Sequence, residues 1–274
     1  MEGLAAGAGV TLLDIIALNV RTEINFGLFS DGCTSLSWVT RTRSFLAQNW
    51  DWMDAQKENL IFLTIAQEGK PRIKMITEAG LIGKIGLNDA GVGVLLNAIR
   101  AKGVDSTRLP CHLGLRMVLE SHSKDEAVQK LENYGIASSC HMLVADGETG
   151  GVGLEFSFDD GKQIVQNVKG QVFHSNHYLD PILEKKDTNW MADSGFRVKR
   201  IEELCHGIST PEMEPVRALF RDEKNFPASI CRSSQKPQTA SSTLFNIVME
   251  LKSKTAKVVL GRPVAPEEEF DISF

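Results

Sequence analysis

Helical and extended hydrophobic periods alternate in blocks along this chain. In "TLLDIIALNVRTEI", Leu12, Ile15, Ile16 and Val20 recur at helical spacing, and Thr11 and Asp14 stand where a capping box needs them, so an amphipathic helix is predicted. After Cys33 the period shortens. "SLSWVT" and "SFLAQNWDW" predict paired strands around the polar turn "RTR". "NLIFLTIAQ", "RIKMITEAG", "LIGKIGLND" and "GVGVLLNAI" continue as an antiparallel meander, rich in β-branched residues and broken by Gly, Pro and Asn-Asp turns.

Two helices follow, "CHLGLRMVLES" and "SKDEAVQKLENYG", the second with Ser123 and Glu126 at capping-box spacing and Gly135 as its stop. "SSCHMLVAD", "VGLEFSF", "KQIVQNV" and "QVFHSNH" predict four more strands, and Tyr178 to Asp193 a long polar loop. The helices "GFRVKRIEELC" and "PVRALFRDE" lead into a last hairpin, "STLFNIVMELKSKTAKVVLGRP". Helices come in pairs and strands in hairpins. The expected architecture is therefore α+β, two antiparallel sheets between helical layers, rather than a doubly wound parallel sheet. No repeat, low-complexity tract or linker divides residues 1–274, and one domain is expected.

Composition narrows the function. Hydrophobic residues make up 42% and charged residues 24%, ordinary for a globular chain with a full core. The net charge of −5 gives nucleic acid or an anionic membrane no basic surface, and no apolar run approaches a membrane span. Five widely spaced cysteines without a C-x-x-C pair predict neither a disulfide framework nor structural zinc, and suit a reducing compartment. The start lacks a basic n-region, so no signal peptide is expected.

The candidate chemistry begins at "DGC". A tight Asp31-Gly32 turn and a small buried cysteine would explain the residues. Alternatively the Gly32–Cys33 bond is cut. The freed α-amine, with a pKa of about 7.7–8.0, would then lie beside its own thiol as a base that an intact amide cannot supply. Glycine at 32 leaves the carbonyl open to the thiol. Asp51, between two tryptophans in "QNWDW", is either a strand-end cap or a carboxylate that orients an ammonium or guanidinium. Asn176 in "VFHSNHY" is either a turn former or a donor to a developing oxyanion. His174 and His177 lack a third ligand at fixed spacing, so no metal is expected. Arg232 follows the apolar, strand-like pair Ile230-Cys231 and calls for a fixed carboxylate, for which Asp51 would serve. Cys231 is expected to pack. "GLIGKIG" lacks a strand–turn–helix context and is expected in a hairpin, not a dinucleotide loop.

"DGCTS", "QNWDW", "ENLIFLTI", "ITEAGLIGKIGLNDAGVGV", "GLEFS", "HSNH", "ICRSS", "TLFNI" and "LGRPVAPEE" occur here in one ordered set. In that order the chain resembles the fungal isopenicillin N acyltransferases, N-terminal-nucleophile (Ntn) hydrolases also called acyl-coenzyme A:6-aminopenicillanic acid acyltransferases. The resemblance implies a four-layer αββα fold and self-cleavage between Gly32 and Cys33. Residues 1–32 would form a short N-terminal subunit and 33–274 the catalytic one, with the cut segment staying as a partner. It implies Cys33 as nucleophile with its own amine as base, Asp51 and Arg232 as catalytic residues, Asn176 as oxyanion donor, and Ser157 as a residue of self-processing. It also implies a place in penicillin biosynthesis, acyl-coenzyme A as co-substrate with no other cofactor, and small-molecule amide or β-lactam substrates. Family members carry further residues before the segment matching Met1, and are peroxisomal. "FDISF" is not of the S-K-L type, so a cytoplasmic location is expected. The alternatives are a divergent paralogue acting as a plain amidase, or an uncut, non-enzymatic relic that binds rather than reacts.

Overall fold

The computed structural model describes residues 1–25, 32–188, 190–234 and 241–274. Helices α1 (Glu2–Ala8), α2 (Leu12–Asn19) and α3 (Arg21–Ile24) open the chain. Strands β1 (Gly32–Val39), β2 (Ser44–Met53), β3 (Leu60–Ile65), β4 (Ile73–Glu78), β5 (Ile85–Asn88) and β6 (Val92–Ala98) follow. Then come α4 (Cys111–Leu119), α5 (Lys124–Tyr134), β7 (Cys140–Asp146), β8 (Gly150–Phe156), β9 (Gly161–Ile164) and β10 (Gln171–His174). The chain closes with α6 (Ser194–Cys205), α7 (Met213–Leu219), β11 (Ser241–Glu250), β12 (Thr255–Arg262) and β13 (Ala265–Ser273).

The strands form two antiparallel sheets, ordered β10-β1-β2-β11-β12-β13 and β3-β4-β5-β6-β7-β8-β9. Side chains alternate across a strand, and β1 and β2 use both faces. Cys33, Leu46 and Trp50 join a core with Val94, Leu96 and Val144 of the second sheet. Leu36, Trp38, Phe45 and Ala47 pack instead with Ile201 of α6 and Val216 of α7. Leu115 of α4 and Leu131 of α5 extend the core on the second sheet. The layers run helix, sheet, sheet, helix, as expected. Burying each large apolar side chain in these clusters contributes about 1.5–3 kcal/mol. The sheets approach so closely beside β1 that a Cβ on Gly151 of β8 would stand 2.3 Å from Ser37 Oγ.

The helix caps follow the sequence, with one exchange. The Thr11 hydroxyl accepts from Asp14 N–H while the Asp14 carboxylate accepts from Thr11 N–H. Ser123 accepts from Glu126 N–H, but the Glu126 carboxylate takes its hydrogen bond from His122 N–H, not from Ser123, and pairs with Lys130. Ile230 and Cys231 are not strand but belong to the irregular segment before β11. "GLIGKIG" joins the antiparallel pair β4 and β5. The loop after Tyr178 carries one short 3-10 turn, Glu184–Lys186. Among the described residues no single helix is long and apolar enough to cross a membrane.

Candidate active site

Strand β1 lies between β2 and β10, and this placement assembles the site. On one side Gly32 pairs with Asp51 and Cys33 with Trp50. On the other, Ser35 pairs with His174, so the chain leaving β10 delivers Asn176 to the start of β1. Asp31 lies outside the described residues, and Gly32 is a strand residue. A Cβ on Gly32 would stand 2.9 Å from Asp51 Oδ2 and 3.1 Å from Arg232 Nε, too close for any other residue without displacement.

Four charged side chains, alternating in sign, close around the Gly32–Cys33 junction. Asp51 Oδ2 lies 3.5 Å from Arg232 Nε. Arg232 Nη2 donates to Asp193 Oδ2, which also accepts from Arg197 Nε at 2.7 Å. Arg197 Nη2 donates to Asn176 Oδ1 at 2.8 Å, and the same oxygen accepts from Cys33 N–H at 2.9 Å. Thr243 ties the ring to β11: its hydroxyl donates to Asp51 Oδ1 at 2.7 Å and accepts from Arg232 N–H at 3.0 Å. The carboxylate expected for Arg232 is thus present, with Asp193 as a second.

Asp51 is fully buried. Burial pushes its carboxyl up to about 6, and the Arg232 and Arg197 charges with the Thr243 hydrogen bond only partly offset this. Because that value lies above the unfolded 3.8, ionising Asp51 costs stability as pH rises from 3.8 to about 6. Among the described residues Asp51 Oδ2 accepts no hydrogen bond. A carboxylate oxygen so placed beside Gly32 is suited to receive an ammonium.

The loop bearing Asn176 is pinned at several points. The buried Glu155 carboxylate accepts from His174 Nε2 at 2.7 Å, Leu179 N–H at 2.6 Å and Asp180 N–H at 3.0 Å. Asn176 N–H donates to Ser194 Oγ at 2.7 Å, and Asn176 Nδ2 donates to Ala98 O of β6 at 3.0 Å. His174 therefore meets a carboxylate, whereas His177 Nδ1 meets Ser194 Oγ. Among the described residues no three His, Cys, Asp or Glu side chains gather as a metal site.

Among the described residues, Ser157 is not brought to this ring by any hydrogen bond. Its buried hydroxyl donates to Asp159 Oδ1 at 2.7 Å and accepts from Asp160 N–H and Lys186 Nζ, closing the turn between β8 and β9. Cys111, Cys205 and Cys231 are poor nucleophiles. The neighbouring Cys140 thiol and burial push Cys111 well up; burial raises Cys205 to about 12 and Cys231 to about 11.

Sequence reasoning missed Arg197, Asp193, Ser194 and Thr243. A signal was present for the first. The buried face of α6 is Ser194, Arg197, Ile201 and Cys205, so an arginine occupies a stripe otherwise small or apolar.

These layers are those of the Ntn-hydrolase fold. Solved structures share the fold. A Caenorhabditis elegans N-acylethanolamine-hydrolyzing acid amidase ortholog matches with TM-score 0.59 at 17% identity, over 80% of this chain and 93% of that one. Penicillin V acylase from Agrobacterium tumefaciens gives 0.59 at 15%, over 88% and 86%. A conjugated bile acid hydrolase variant from Clostridium perfringens gives 0.61 at 12%, over 88% and 92%. The sequence profile of the acyl-coenzyme A:6-aminopenicillanic acid acyltransferases matches residues 38–265, and the chain belongs to that family. It is 43% identical to the 40 kDa form of the Emericella nidulans acyl-coenzyme A:6-aminopenicillanic-acid acyltransferase, across 99% of this chain and 77% of the relative.

Proposed function

We propose that this chain cuts itself between Gly32 and Cys33 and then transfers acyl groups through a thioester on Cys33. In the first reaction Cys33 Sγ attacks the Gly32 carbonyl carbon, the C–N bond breaks, and the nitrogen leaves as the α-amine of Cys33. Water then hydrolyses the Gly32 thioester, giving a carboxylate at Gly32 and restoring the thiol. In the second reaction the α-amine takes the thiol proton, and the thiolate attacks an acyl-coenzyme A carbonyl. Coenzyme A leaves as its thiol, and the acyl-enzyme passes its acyl group to an amine. Asp51 orients the new α-amine, Arg232 holds Asp51 in place, and Asn176 Nδ2 donates to the oxyanion.

The observation that carries this reading is the ring of Asp51, Arg232 and Asn176 around the Gly32–Cys33 junction. The named activity of the Emericella nidulans relative supports 6-aminopenicillanic acid as the acceptor amine and acyl-coenzyme A as donor. Ser157 rests on family resemblance alone, and its role in processing would run through the turn it closes. Intact-mass analysis is expected to find pieces of 32 and 242 residues (274 − 32 = 242), and Cys33→Ala a single inactive chain. Cleavage persisting in that variant removes the mechanism.

A second reading, plain amide hydrolysis, draws support from the three solved structures of the same fold, whose names describe an amidase, an acylase and a hydrolase. Both readings share the acyl-enzyme. Phenylacetyl-coenzyme A supplied with and without 6-aminopenicillanic acid separates them: an amide product supports transfer, and free acid alone in both arms supports hydrolysis.

A further inference from the structure

Arg197 has no exposed surface, and its five N–H groups meet five acceptors. Nε donates to Asp193 Oδ2 at 2.7 Å, and Nη1 to the Cys33 carbonyl and to Thr34 Oγ1 at 3.0 Å. Nη2 donates to Asn176 Oδ1 at 2.8 Å and to Met191 Sδ at 2.9 Å. One rigid fork thus grips the nucleophile's backbone and the oxyanion candidate together.

The consequence concerns which way the Asn176 amide faces. With its oxygen against the guanidinium and Cys33 N–H, its nitrogen must point to Ala98 O on the facing sheet. That is the side on which the Cys33 side chain packs. A flipped amide would set NH₂ against the guanidinium and a backbone N–H, leaving buried donors opposed and Ala98 O facing an oxygen. We propose that Arg197 is a positioning residue for the acyl transfer, locking the Asn176 amide with its N–H groups toward the thioester oxygen. It acts through Asn176 and touches no substrate atom.

This inference rests on the Cys33 acyl-enzyme reading, and the wild-type control separates their failures. If wild-type protein takes no acyl label on Cys33, that reading fails; if it does, the variants decide the inference. Lysine keeps the charge but offers three hydrogens in no fixed plane. Arg197→Lys is expected to lower kcat ten- to a hundredfold, less than the loss of a whole oxyanion donor, with KM within about threefold. Its acid limb should stay in place, because the cation beside Asp51 is retained. Arg197→Gln is expected to show the same kcat loss and an acid limb moved to higher pH, since the lost charge helps keep Asp51 ionised. In an Asn176→Ala background either substitution is expected to cost less than about twofold, because its route of action is already gone. If a folded variant stays uncut, its self-cleavage half-time in the same cycle replaces kcat, and loss of cleavage in a chain with wild-type melting behaviour supports the proposal. Near-wild-type kcat, a change in KM alone, losses that add fully to Asn176→Ala, or failure of both variants to fold would overturn it.

Discussion

At the scale of single residues, the Gly32–Asp51 contact makes the sharpest demand. Gly32→Ala would drive a methyl to within 2.9 Å of Asp51 Oδ2 and 3.1 Å of Arg232 Nε, the facing atoms of the Asp51–Arg232 ion pair. The variant is expected to remain uncut, or to cut at least tenfold more slowly by time-resolved intact mass; cutting at wild-type speed would contradict the geometry. Thr243→Val removes the hydroxyl that donates to Asp51 Oδ1 and helps hold its carboxyl down near 6. The Asp51 value should then rise, and the acid limb of kcat/KM move to higher pH; an unmoved limb would show that Asp51 need not be ionised. The family resemblance singled out Cys33, Asp51, Asn176 and Arg232 through their short ordered stretches, and the structure brings the four together. Arg197 and Asp193 were not legible, because only the buried face of α6 and its N-cap position bring them to β1. The Asp51–Arg232 pairing was legible as a demand for charge compensation; its sharing with a second carboxylate was not.

At the scale of elements, Glu155 on β8 organises the loop that presents Asn176. Its buried carboxylate collects three hydrogen bonds across residues 174–180. Glu155→Ala would strip these donors of their acceptor, at a cost of about 1–3 kcal/mol for each group left unpaired. Chemical denaturation checks this, and a loss below about 1 kcal/mol would mean the loop is held by other contacts. The strands of the two cores were readable from their apolar periods. Strand β13 was not: its residues Pro266, Glu267, Glu268 and Glu269 are exposed at a sheet edge, so burial wrote no alternation into them. Helix α1 escaped for a related reason, since only Ala5 of its seven residues is buried.

At the scale of the whole molecule, specific ties bind residues 1–25 to the chain on the far side of Cys33. Asn19 Nδ2 donates to Gly80 O at 2.9 Å and Asn19 Oδ1 accepts from Ile82 N–H at 2.9 Å. Glu23 Oε1 accepts from Cys111 N–H and Ser138 Oγ, at 2.9 and 2.7 Å. Arg21 pairs with the buried Glu78. Burial alone would raise Glu78, but the Lys84 and Arg21 charges outweigh it and hold the carboxyl down at about 2. Its folded value lies below the unfolded 4.5, so this tie stabilises fully above that pH and is lost as pH falls toward 2. The two pieces are therefore expected to co-elute after cleavage at neutral pH, and Glu78→Gln to release the small one more readily; a wild-type fragment that leaves freely would contradict these contacts. The most direct test of the whole account is to treat the protein with phenylacetyl-coenzyme A and map the adduct by mass spectrometry. The account predicts one acyl group on the thiol of a chain that begins at Cys33. An acyl group carried by another residue, or full turnover by protein whose Cys33 nitrogen is still joined to Gly32, would contradict it.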